Sequence, residues 1–399
     1  MKTLYFLAKI HWTFILIMLC ACLLLFWKLD EAPIVRWDEY TNVRVVEDTL
    51  SSSNYFLLQY HDAPTGFFFE KPPVFYWLGI FITSIIKSIE PLIALRLVSA
   101  LSGLAIVCCT YFWVHSHSNK TTATISALVI LATPHLFISN PGEIFSTHTF
   151  RSADIDALHL LFIVCALIFF EQGIKRISTR WIIGGAVLTS CAVLSKGPFG
   201  VLPYALYVSF ISIQILFKDH TKSVLRTHIR HMISSGATIL ALVGAWHIVM
   251  IGKFGSEFIN EYFFYHIVSR TSASLEGHNG YPTLYLDLLL NYSVFFSGHI
   301  LVLSIITFVW SKRSTLFTSF FTFVPLFGFI LSLTTISFVQ TKIAWYLLYC
   351  YPFAAILIGT ATSTMNGTNT SGWKKVFEFT TIGISLFQIG NILRHILYL

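Results

Sequence analysis

The sequence predicts an all-α polytopic membrane protein, and two observations support this fold class. Of the 399 residues, 55% are hydrophobic and only 11% are charged, which leaves too little polar surface to cover a soluble globule of this size. Apolar runs of about 18 to 25 residues recur along the whole chain, the length needed to cross about 30 Å of hydrocarbon. We therefore expect one integral membrane domain over residues 1–399, without internal repeats.

The apolar runs define about eleven transmembrane helices, and we expect the N-terminus in the cytoplasm. The predicted helices cover residues 10–27, 92–114, 121–139, 154–171, 181–195, 199–217, 232–251, 284–309, 315–336, 344–361 and 376–393. The chain ends soon after the last run, so no C-terminal soluble domain is expected. The net charge of +7 does not indicate a nucleic-acid partner, because the basic residues are dispersed over short loops between apolar runs.

One further apolar stretch, from Val74 to Ile89, decides the topology. It follows Pro72 and Pro73, carries Lys87 and lies at the short limit for a membrane span. If the stretch does not cross, the basic loops around residues 120, 175–180, 218–230, 312–313 and 374–375 all become cytoplasmic. The positive-inside rule therefore favours an interfacial or re-entrant helix here.

With that topology, the outward loops are rich in ionisable residues of both signs. These loops cover residues 28–91, 140–153, a tight turn at 196–198, 252–283 and 337–343. The loop over 28–91 is the expected catalytic loop with interfacial helices, and 252–283 is the second large outward loop. Ionisable groups at membrane depth cost on the order of 3 kcal/mol or more each. A convergent set of them predicts a polar cavity, whereas each charge taken singly is also typical of a helix anchor.

Several short motifs along the chain carry a family resemblance. They are Trp37-Asp38-Glu39, Phe69 to Trp77 with Glu70-Lys71-Pro72-Pro73, Ala94 to Leu101 with Arg96, Arg151 to Leu158 with Asp156, Lys196-Gly197-Pro198, Phe258 to Arg270 with His266, and Thr341-Lys342 followed by Tyr346 and Pro352. In this order the set resembles the bacterial membrane glycosyltransferases related to the lipid A aminoarabinose transferase and the protein O-mannosyltransferases.

The resemblance implies a GT-C fold and an inverting glycosyltransferase. The donor would be a sugar on a polyprenyl phosphate, and the acceptor lipid A, another glycolipid, a polysaccharide or a protein of the cell envelope. The site would face the outside of a bacterial inner membrane. Aromatic residues, 16% of the chain with 37 Phe, would face lipid and a groove for the isoprenoid. The family usually has an Arg where this chain has Thr41, so Arg44 would have to substitute for it, and the family's C-terminal soluble domain is missing.

The resemblance also implies that acidic residues deprotonate or orient the acceptor. Asp38 is the expected general base, since a carboxylate can take the proton of an acceptor hydroxyl. Glu39 is expected to support it. Asp156 is a second acid that would orient the acceptor or a basic partner, with Arg151 also in a supporting role. Asp154 is its rival, because the two carboxylates would lie on different faces of a helix and could not both enter one cavity.

Four cations and one tyrosine are the expected contacts of the donor phosphate. They are Lys71, Lys196, Arg270, Lys342 and Tyr346. Fixed positive charge in a partly dry site stabilises the charge that develops on a departing phosphate. Each of the four cations could instead be a snorkelling anchor whose charge simply reaches the interface.

A divalent metal is a further hypothesis for the site. Glu70 and His266 could share Zn²⁺ or Mn²⁺, because both metals accept oxygen and imidazole ligands. The structural alternative is a hydrogen-bonded His266 near the membrane interface.

Two other classes of protein compete with the enzyme. A transporter or flippase for a lipid-linked sugar would line an alternating-access path with charges, commonly with related halves and charges near mid-membrane. An assembly subunit of an envelope complex would not need ordered acid and base motifs. The charges here are predicted in outward loops, which favours the enzyme.

Overall fold

The computed structural model describes residues 12–32, 34, 37–52, 54–139, 148–217, 221–364 and 371–398. These residues are almost entirely helical, and the strand-like pairing among them is one isolated antiparallel bridge between Gln59 and Phe67. The predicted all-α fold is confirmed. The predicted start of the first span at residue 10 lies outside the described residues.

Fourteen α-helices of eight residues or more build the described part of the chain. They are α1 Trp12–Phe26, α2 Asp38–Ser51, α3 Val74–Ile85, α4 Pro91–His115, α5 Lys120–Leu131, α6 Asp156–Arg176, α7 Thr179–Lys196, α8 Leu202–Phe217, α9 Lys222–Phe254, α10 Leu284–Asn291, α11 Gly298–Lys312, α12 Phe320–Phe338, α13 Tyr351–Thr364 and α14 Ser371–Tyr398. A π-helix covers Ile259–Ser269, and 3₁₀ turns cover Pro134–Leu136, Pro198–Val201 and Ala344–Cys350.

The helices have the lengths and composition of a multi-pass membrane protein. Within the described residues, seven helical segments are long and apolar enough to cross a membrane, and α1, α3, α5 and α11 are shorter apolar helices. Helices α6, α7 and α4 pack side by side, and α13 is buried against α5 and α11. Each predicted span has a helical counterpart among the described residues. Helices α9 and α14 are longer than predicted, the span over 344–361 begins with a 3₁₀ turn, and the spans predicted over 121–139 and 284–309 are broken.

The predicted helix over 121–139 is shorter than expected. Helix α5 ends at Leu131, and a 3₁₀ turn follows at Pro134–Leu136. Thr133, directly before the proline, has an extended backbone, because the proline ring disfavours the helical conformation of the residue that precedes it. The apolar run continues through this break, so hydropathy alone does not reveal it.

The predicted helix over 284–309 is two helices, α10 and α11. The chain is extended at Tyr292 and again at Ser297. The Ser297 side chain accepts from the amide of Ile300 at 3.4 Å and so begins a new helix. The carbonyl of Val294, between the two helices, accepts from the amide of His135 at 3.1 Å. Backbone groups freed by the break are thus partly satisfied by a neighbouring segment.

Helix α3 occupies the stretch whose crossing decides the topology. It has 12 residues, about 18 Å of helix, which is shorter than the roughly 30 Å of a hydrocarbon core. Its buried face, with Phe75 and Tyr76, packs in one cluster with Val45 and Val46 of α2 and Leu95 of α4. Helix α3 is therefore held between α2 and α4, as expected for a helix at the membrane interface.

A buried polar cluster marks the end of the bundle where α4 and α6 finish. The Glu171 carboxylate accepts from the Trp113 indole at 2.7 Å, pairs with His117 at 2.7 Å and with Lys175 at 3.2 Å. The His117 ring stacks on Phe321 of α12 with centroids 4.0 Å apart. The C-terminal ends of α4 and α6 therefore lie together, and Lys175 belongs to the opposite end of α6 from Asp156.

Candidate active site

A polar cavity of about 710 Å³ opens at the other end of the bundle. Segments predicted as separate outward loops meet there. Most of the candidate residues line it, namely Asp38, Glu70, Lys71, Asp154, Asp156, Lys196, Arg270, Lys342 and Tyr346. The candidates Glu39, Arg151 and His266 are not among the lining residues. The convergent charges predicted from the sequence are thus collected in one place.

Asp38 begins helix α2 and faces the cavity. Its side chain is 40% exposed, and its Oδ2 lies 3.2 Å from Nε2 of His148. Burial alone would raise the pKa of Asp38, but the hydrogen bond from His148 and the positive charges around it hold the pKa below its usual range. The carboxylate is therefore ionised at neutral pH. Trp37, just before it, has a φ of 75°, a strained backbone for a residue of this type.

A buried ion pair fixes the helix that carries Asp38. The Arg96 guanidinium of α4 donates to both Glu39 oxygens, from Nε at 2.8 Å and Nη2 at 3.0 Å. Both side chains are almost fully buried, and Glu39 also accepts from the amide of Ala153 at 2.8 Å. Glu39 does not line the cavity, but it ties α2 to α4 and to the segment before α6. The role of Arg96 was not foreseen from the sequence, although an Arg within an apolar run is a signal of it.

His148 connects the two candidate acids. Its Nδ1 lies 2.6 Å from Asp156 Oδ2, while its Nε2 contacts Asp38. Burial would lower the pKa of His148, but the charges of Asp154 and Asp156 and the two hydrogen bonds raise it to about 10. The sequence offered only a weak signal for this residue, since it is one histidine in a polar loop a few residues before the two acids.

Asp156, the first residue of α6, is the centre of a small network. Its Oδ1 accepts from Lys196 at the end of α7 and from the Tyr349 hydroxyl at 2.9 Å. The Lys196 ammonium also lies over the rings of Tyr346 and Tyr349, at 5.5 and 5.6 Å from their centroids. Gly197, with a φ of 126°, ends α7 in a conformation that favours glycine. The turn at 196–198 thus delivers Lys196 to the cavity, and Tyr349 is a member that sequence reasoning missed.

Asp154 also lines the cavity, which corrects the expectation that only one of the two acids can enter it. Asp154 lies before the first residue of α6, so the angular spacing of helical residues does not apply to the pair. Its Oδ2 accepts from the backbone amide of His148 at 2.9 Å. Asp154 therefore supports the loop that carries His148.

Arg151 supports the fold rather than the cavity. Its guanidinium donates to the carbonyls of Leu24 at 2.6 Å and Trp27 at 2.7 Å. These carbonyls lie in the last turn of α1 and just after it, where backbone acceptors lack helical partners. Arg151 thus joins the end of α1 to the segment before α6.

Lys71 and Arg270 are the cations with direct access to the cavity. The Lys71 ammonium is 3.8 Å from Glu70, and burial lowers its pKa from the ordinary value. Arg270 Nη2 pairs with both Glu276 oxygens, at 2.8 and 3.0 Å. Both side chains remain partly exposed. An anion that enters the cavity would therefore meet Lys71, whose partner Glu70 is 3.8 Å away, and Arg270, which is paired with the Glu276 carboxylate.

Lys342 lines the cavity but is engaged by the backbone. Its ammonium donates to the carbonyls of Ser337 and Val339 at the end of α12, a position where a cation is stabilised by the helix dipole. Its own amide donates to the carbonyl of His278 at 3.0 Å. Lys342 thus joins the loop over 339–343 to the loop over 270–278.

Arg44 does not replace the missing family arginine in this structure. Its guanidinium pairs with Glu47 at 3.1 Å and lies 3.8 Å from Asp48, on the outer side of α2. Thr41 is the residue of this helix that lines the cavity, together with Asp38 and Asn42. Arg44 follows Asn42 by only two residues, about 200° around the helix, so its side chain lies on another side of α2 from Asn42.

The proposed metal ligands supply two donors. Glu70 lines the cavity, and Nδ1 of His266 is buried without a hydrogen-bond partner among the described residues. Burial and the charges of Lys71 and Arg270 lower the pKa of His266 to about 2, so its ring is neutral. The described residues contain no group of three His, Cys, Asp or Glu side chains arranged to hold a metal. Two donors do not complete a ligand set, and the positive neighbours of His266 disfavour a cation there.

The chain is similar to several known proteins. Residues 70–247 match the family model for dolichyl-phosphate-mannose-protein mannosyltransferase. The chain is 27% identical over 308 residues to an uncharacterized protein of Aquifex aeolicus, covering 76% of this chain and 62% of that protein. The fold is similar to ArnT from Cupriavidus metallidurans bound to undecaprenyl phosphate, with a TM-score of 0.71, 18% identity, and coverage of 91% of this chain and 62% of that chain.

A second solved structure has the same architecture. The Archaeoglobus fulgidus oligosaccharyltransferase in complex with Zn and sulfate matches with a TM-score of 0.61 and 14% identity, over 96% of this chain and 53% of that chain. The chain therefore has the GT-C fold. The resemblance to mannosyltransferases and ArnT-like enzymes predicted from the sequence is confirmed. The chain spans 62% of the length of both the Aquifex protein and the ArnT chain.

Proposed function

We propose that the protein is an inverting glycosyltransferase that moves a sugar from a polyprenyl-phosphate donor to a cell-envelope acceptor. The observation that carries this proposal is the joint lining of one cavity by an ionised, exposed carboxylate at Asp38 and by cations at Lys71, Lys196 and Arg270. The likeness to a protein whose structure holds undecaprenyl phosphate supports the donor class.

In the proposed reaction, the acceptor oxygen attacks the anomeric carbon from the face opposite the phosphate. The bond between that carbon and the phosphate oxygen breaks, and the phosphate leaves on the polyprenyl lipid. The acceptor hydroxyl releases its proton to Asp38 as the new glycosidic bond forms. Because the acceptor hydroxyl becomes far more acidic as its bond to carbon forms, a carboxylate with a lowered pKa still suffices as the base.

The cations serve the departing phosphate. Positive charges fixed in a partly dry cavity stabilise a developing phosphate charge without reorganising in the reaction. We assign Lys71, Lys196 and Arg270 to this task, with Tyr346 beside Lys196 and with Lys342 in the lining of the cavity. Lys71 and Arg270 each have one carboxylate partner, and that partner is partly exposed to solvent. A divalent metal at Glu70 and His266 would need further ligands from the substrate or water, and no step of the proposed reaction depends on it.

The acceptor is the open part of the proposal. Lipid A, another glycolipid, a polysaccharide and a protein all carry hydroxyl groups, the acceptor group that the proposed reaction requires. Mass spectrometry of envelope lipids and glycans from a deletion strain would identify both the missing sugar and the molecule that lacks it.

A transfer assay tests the proposed function directly. Purified protein in lipid nanodiscs is given a polyprenyl-phosphate sugar and an envelope extract, and the release of polyprenyl phosphate is measured. We expect turnover by the wild type, no turnover by Asp38→Asn, and wild-type turnover by Asp62→Asn, which changes an exposed loop acid in the same way. Asp38→Asn keeps the shape of the side chain but cannot take the proton.

Two results would count against the proposal. Transfer by Asp38→Asn within a few-fold of the wild type would remove Asp38 from the role of base. Movement of the intact lipid-linked sugar across a sealed bilayer, without cleavage of its phosphate bond, would favour the transporter instead.

A further inference from the structure

His148 lies between two carboxylates that belong to different elements. Nε2 is 3.2 Å from Asp38 Oδ2 of α2, and Nδ1 is 2.6 Å from Asp156 Oδ2 of α6. An ionised carboxylate accepts hydrogen bonds and cannot donate them. Both ring nitrogens must therefore donate at once, which requires the doubly protonated imidazolium form. With both acids ionised, this geometry places a positive charge between them.

The ring of His148 is held from every side. The residue is 6% exposed, and its backbone amide donates to Asp154 Oδ2 at 2.9 Å. The ring stacks on Trp345 with centroids 4.2 Å apart and planes 12° apart. Its φ of 67° lies in the left-handed region, which residues other than glycine rarely adopt. A strained backbone kept in place by so many contacts is typical of a functional position.

We propose that His148 is a positioning residue that fixes the Asp38 carboxylate for the transfer reaction. The proposal rests on the proposed function, in which Asp38 takes the acceptor proton. In the proposed reaction, His148 holds Oδ2 of Asp38 and Oδ1 takes the acceptor proton. Through Asp156, the same ring connects Asp38 to Lys196 and hence to the side of the cavity assigned to the phosphate.

The charged groups around His148 show in which direction it shifts the pKa of Asp38. The ring lies between Asp38 of α2 and Asp156 of α6, with Trp345 on one ring face. The charge of Asp154, in the loop before α6, also acts on the ring, and His135 feels the charge of the ring. Lys71 and Lys196 also act on Asp38 from farther away. Without the imidazolium, burial raises the pKa of Asp38 and only those two lysines oppose the rise. Removing the charge at position 148 should therefore raise the pKa of Asp38.

A purely structural role for His148 makes a different prediction. If the residue only held its loop in place, its loss would lower the amount of folded protein and leave the titration of Asp38 unchanged. The positioning role instead requires a change in turnover number and a change in the pH profile.

The first experiment compares His148→Gln with the wild type in the transfer assay across pH. Glutamine keeps one donor but loses the charge, and we expect kcat to fall about ten- to a hundredfold, the effect of losing a charge-assisted hydrogen bond. The donor KM should stay within about twofold. The acid limb of the profile should move to higher pH, because Asp38 is then protonated more easily.

His159→Gln is the matched control for this experiment. His159 is buried in α6 and bonds through Nδ1 to the carbonyl of Ala192 at 2.9 Å, without contact to Asp38. The control should leave the acid limb unmoved. An acid limb at the wild-type position in His148→Gln would overturn the proposal, as would a loss that appears only in the donor KM.

The second experiment needs no substrate, so it separates this inference from the proposed function. A water-soluble carbodiimide modifies protonated carboxyl groups, and peptide mass spectrometry reports each site. At about pH 4–5, where ordinary carboxyl groups titrate, we expect wild-type Asp38 to resist modification while exposed Asp62 reacts. In His148→Gln, Asp38 should become reactive.

The outcomes of this second experiment are decisive in either direction. If wild-type Asp38 reacts at the same pH as Asp62, His148 does not keep the Asp38 carboxylate ionised, and the proposal fails. This result does not depend on whether the variant folds. If the wild type transfers no sugar but Asp38 resists modification, the link between His148 and Asp38 stands and the proposed function fails.

Discussion

The cations of the cavity differ in how far each is already neutralised. The Lys196 ammonium donates to Asp156, which also pairs with His148, and Lys342 is bound by two carbonyls. Arg270 has a carboxylate partner on a loop that contains Gly277, and Lys71 has one at 3.8 Å, beyond hydrogen-bond distance. The free energy that a phosphate gains from each cation depends on the partner it must displace. Lys71 and Arg270 should therefore contribute most to binding the donor.

Alanine variants of these cations test the donor side of the cavity. We expect Lys71→Ala, Lys196→Ala and Arg270→Ala each to lower kcat/KM for the donor about ten- to a hundredfold, with the KM for the acceptor nearly unchanged. Lys87→Ala, which removes an exposed lysine after α3, is the matched control. Donor and acceptor titrations on each variant give the measurement. If the variants change only the KM for the acceptor, these cations do not bind the donor phosphate. The phosphate would then have to bind in another part of the cavity.

At this scale the sequence predicted which residues meet but not how they are paired. Asp38 and His148 are 110 residues apart, and no local pattern in the sequence reports a contact of that range. The error at Asp154 arose from applying helical geometry to a residue that precedes its helix. Arg44 is not among the cavity residues, because its side chain pairs with Glu47 and buried Asp48 of its own helix.

At the scale of elements, α2 is positioned by polar groups rather than by apolar packing alone. Besides Glu39, the helix uses Asn42, whose amide donates to the carbonyl of Ala153 at 2.9 Å and accepts from the Tyr76 hydroxyl at 2.7 Å. Buried polar groups of this kind are stable only when they are paired. Helix α2 therefore keeps its register against α3 and α4, and Asp38 keeps its place at the cavity.

Removing Arg96 tests this positioning. Arg96→Met leaves the Glu39 carboxylate buried without its ionic partner, and we expect it to destabilise the protein by about 3–5 kcal/mol. Glu39→Gln combined with Arg96→Met should lose less, because no unpaired buried charge remains. Thermal unfolding in detergent provides the comparison, with Arg226→Met on the exposed side of α9 as control. Equal unfolding temperatures for the Arg96 and Arg226 variants would show that the pair does not anchor α2.

The limits of sequence-based prediction at this scale have a physical cause. The apolar character of a run sets its affinity for lipid, and it predicted helical structure at each apolar run within the described residues. It does not sense where a helix breaks, since the breaks near Pro134 and at Tyr292 lie within apolar sequence whose backbone groups bond to neighbouring segments. Such breaks depend on tertiary contacts that a single run does not contain.

At the scale of the whole molecule, charge is divided between the two ends of the bundle. The cavity end carries acids and bases together. The other end carries Lys175 beside Glu171, and α9 begins near it, where Thr179 bonds to His231 at 3.0 Å. Among the described basic residues, Arg176, Arg180, Lys222, Arg226 and Arg230 belong to this second end. This division favours a cytoplasmic location for it.

We propose a direction for the bundle in the membrane from that division and from the short length of α3. If the stretch over 74–89 does not cross, α2 and the end of α7 lie on one side, as their shared cavity requires. The positive-inside rule then puts this side outside and the start of α9 inside. Helix α3 is too short to cross unaided, and its packing between α2 and α4 gives it a place at the interface.

Cysteine accessibility tests this orientation in intact cells. We expect a membrane-impermeant thiol reagent to label Ser52→Cys, in an exposed position after α2, and to label Lys222→Cys only after the cells are made permeable. Substituting the seven native cysteines with serine or alanine provides the background. Asp62→Cys is a second outward position on the same loop and should label like Ser52→Cys. Equal labelling of positions 52 and 222 from outside would mean that the stretch over 74–89 crosses the membrane, and the basic end of the bundle would then face outward against the charge rule.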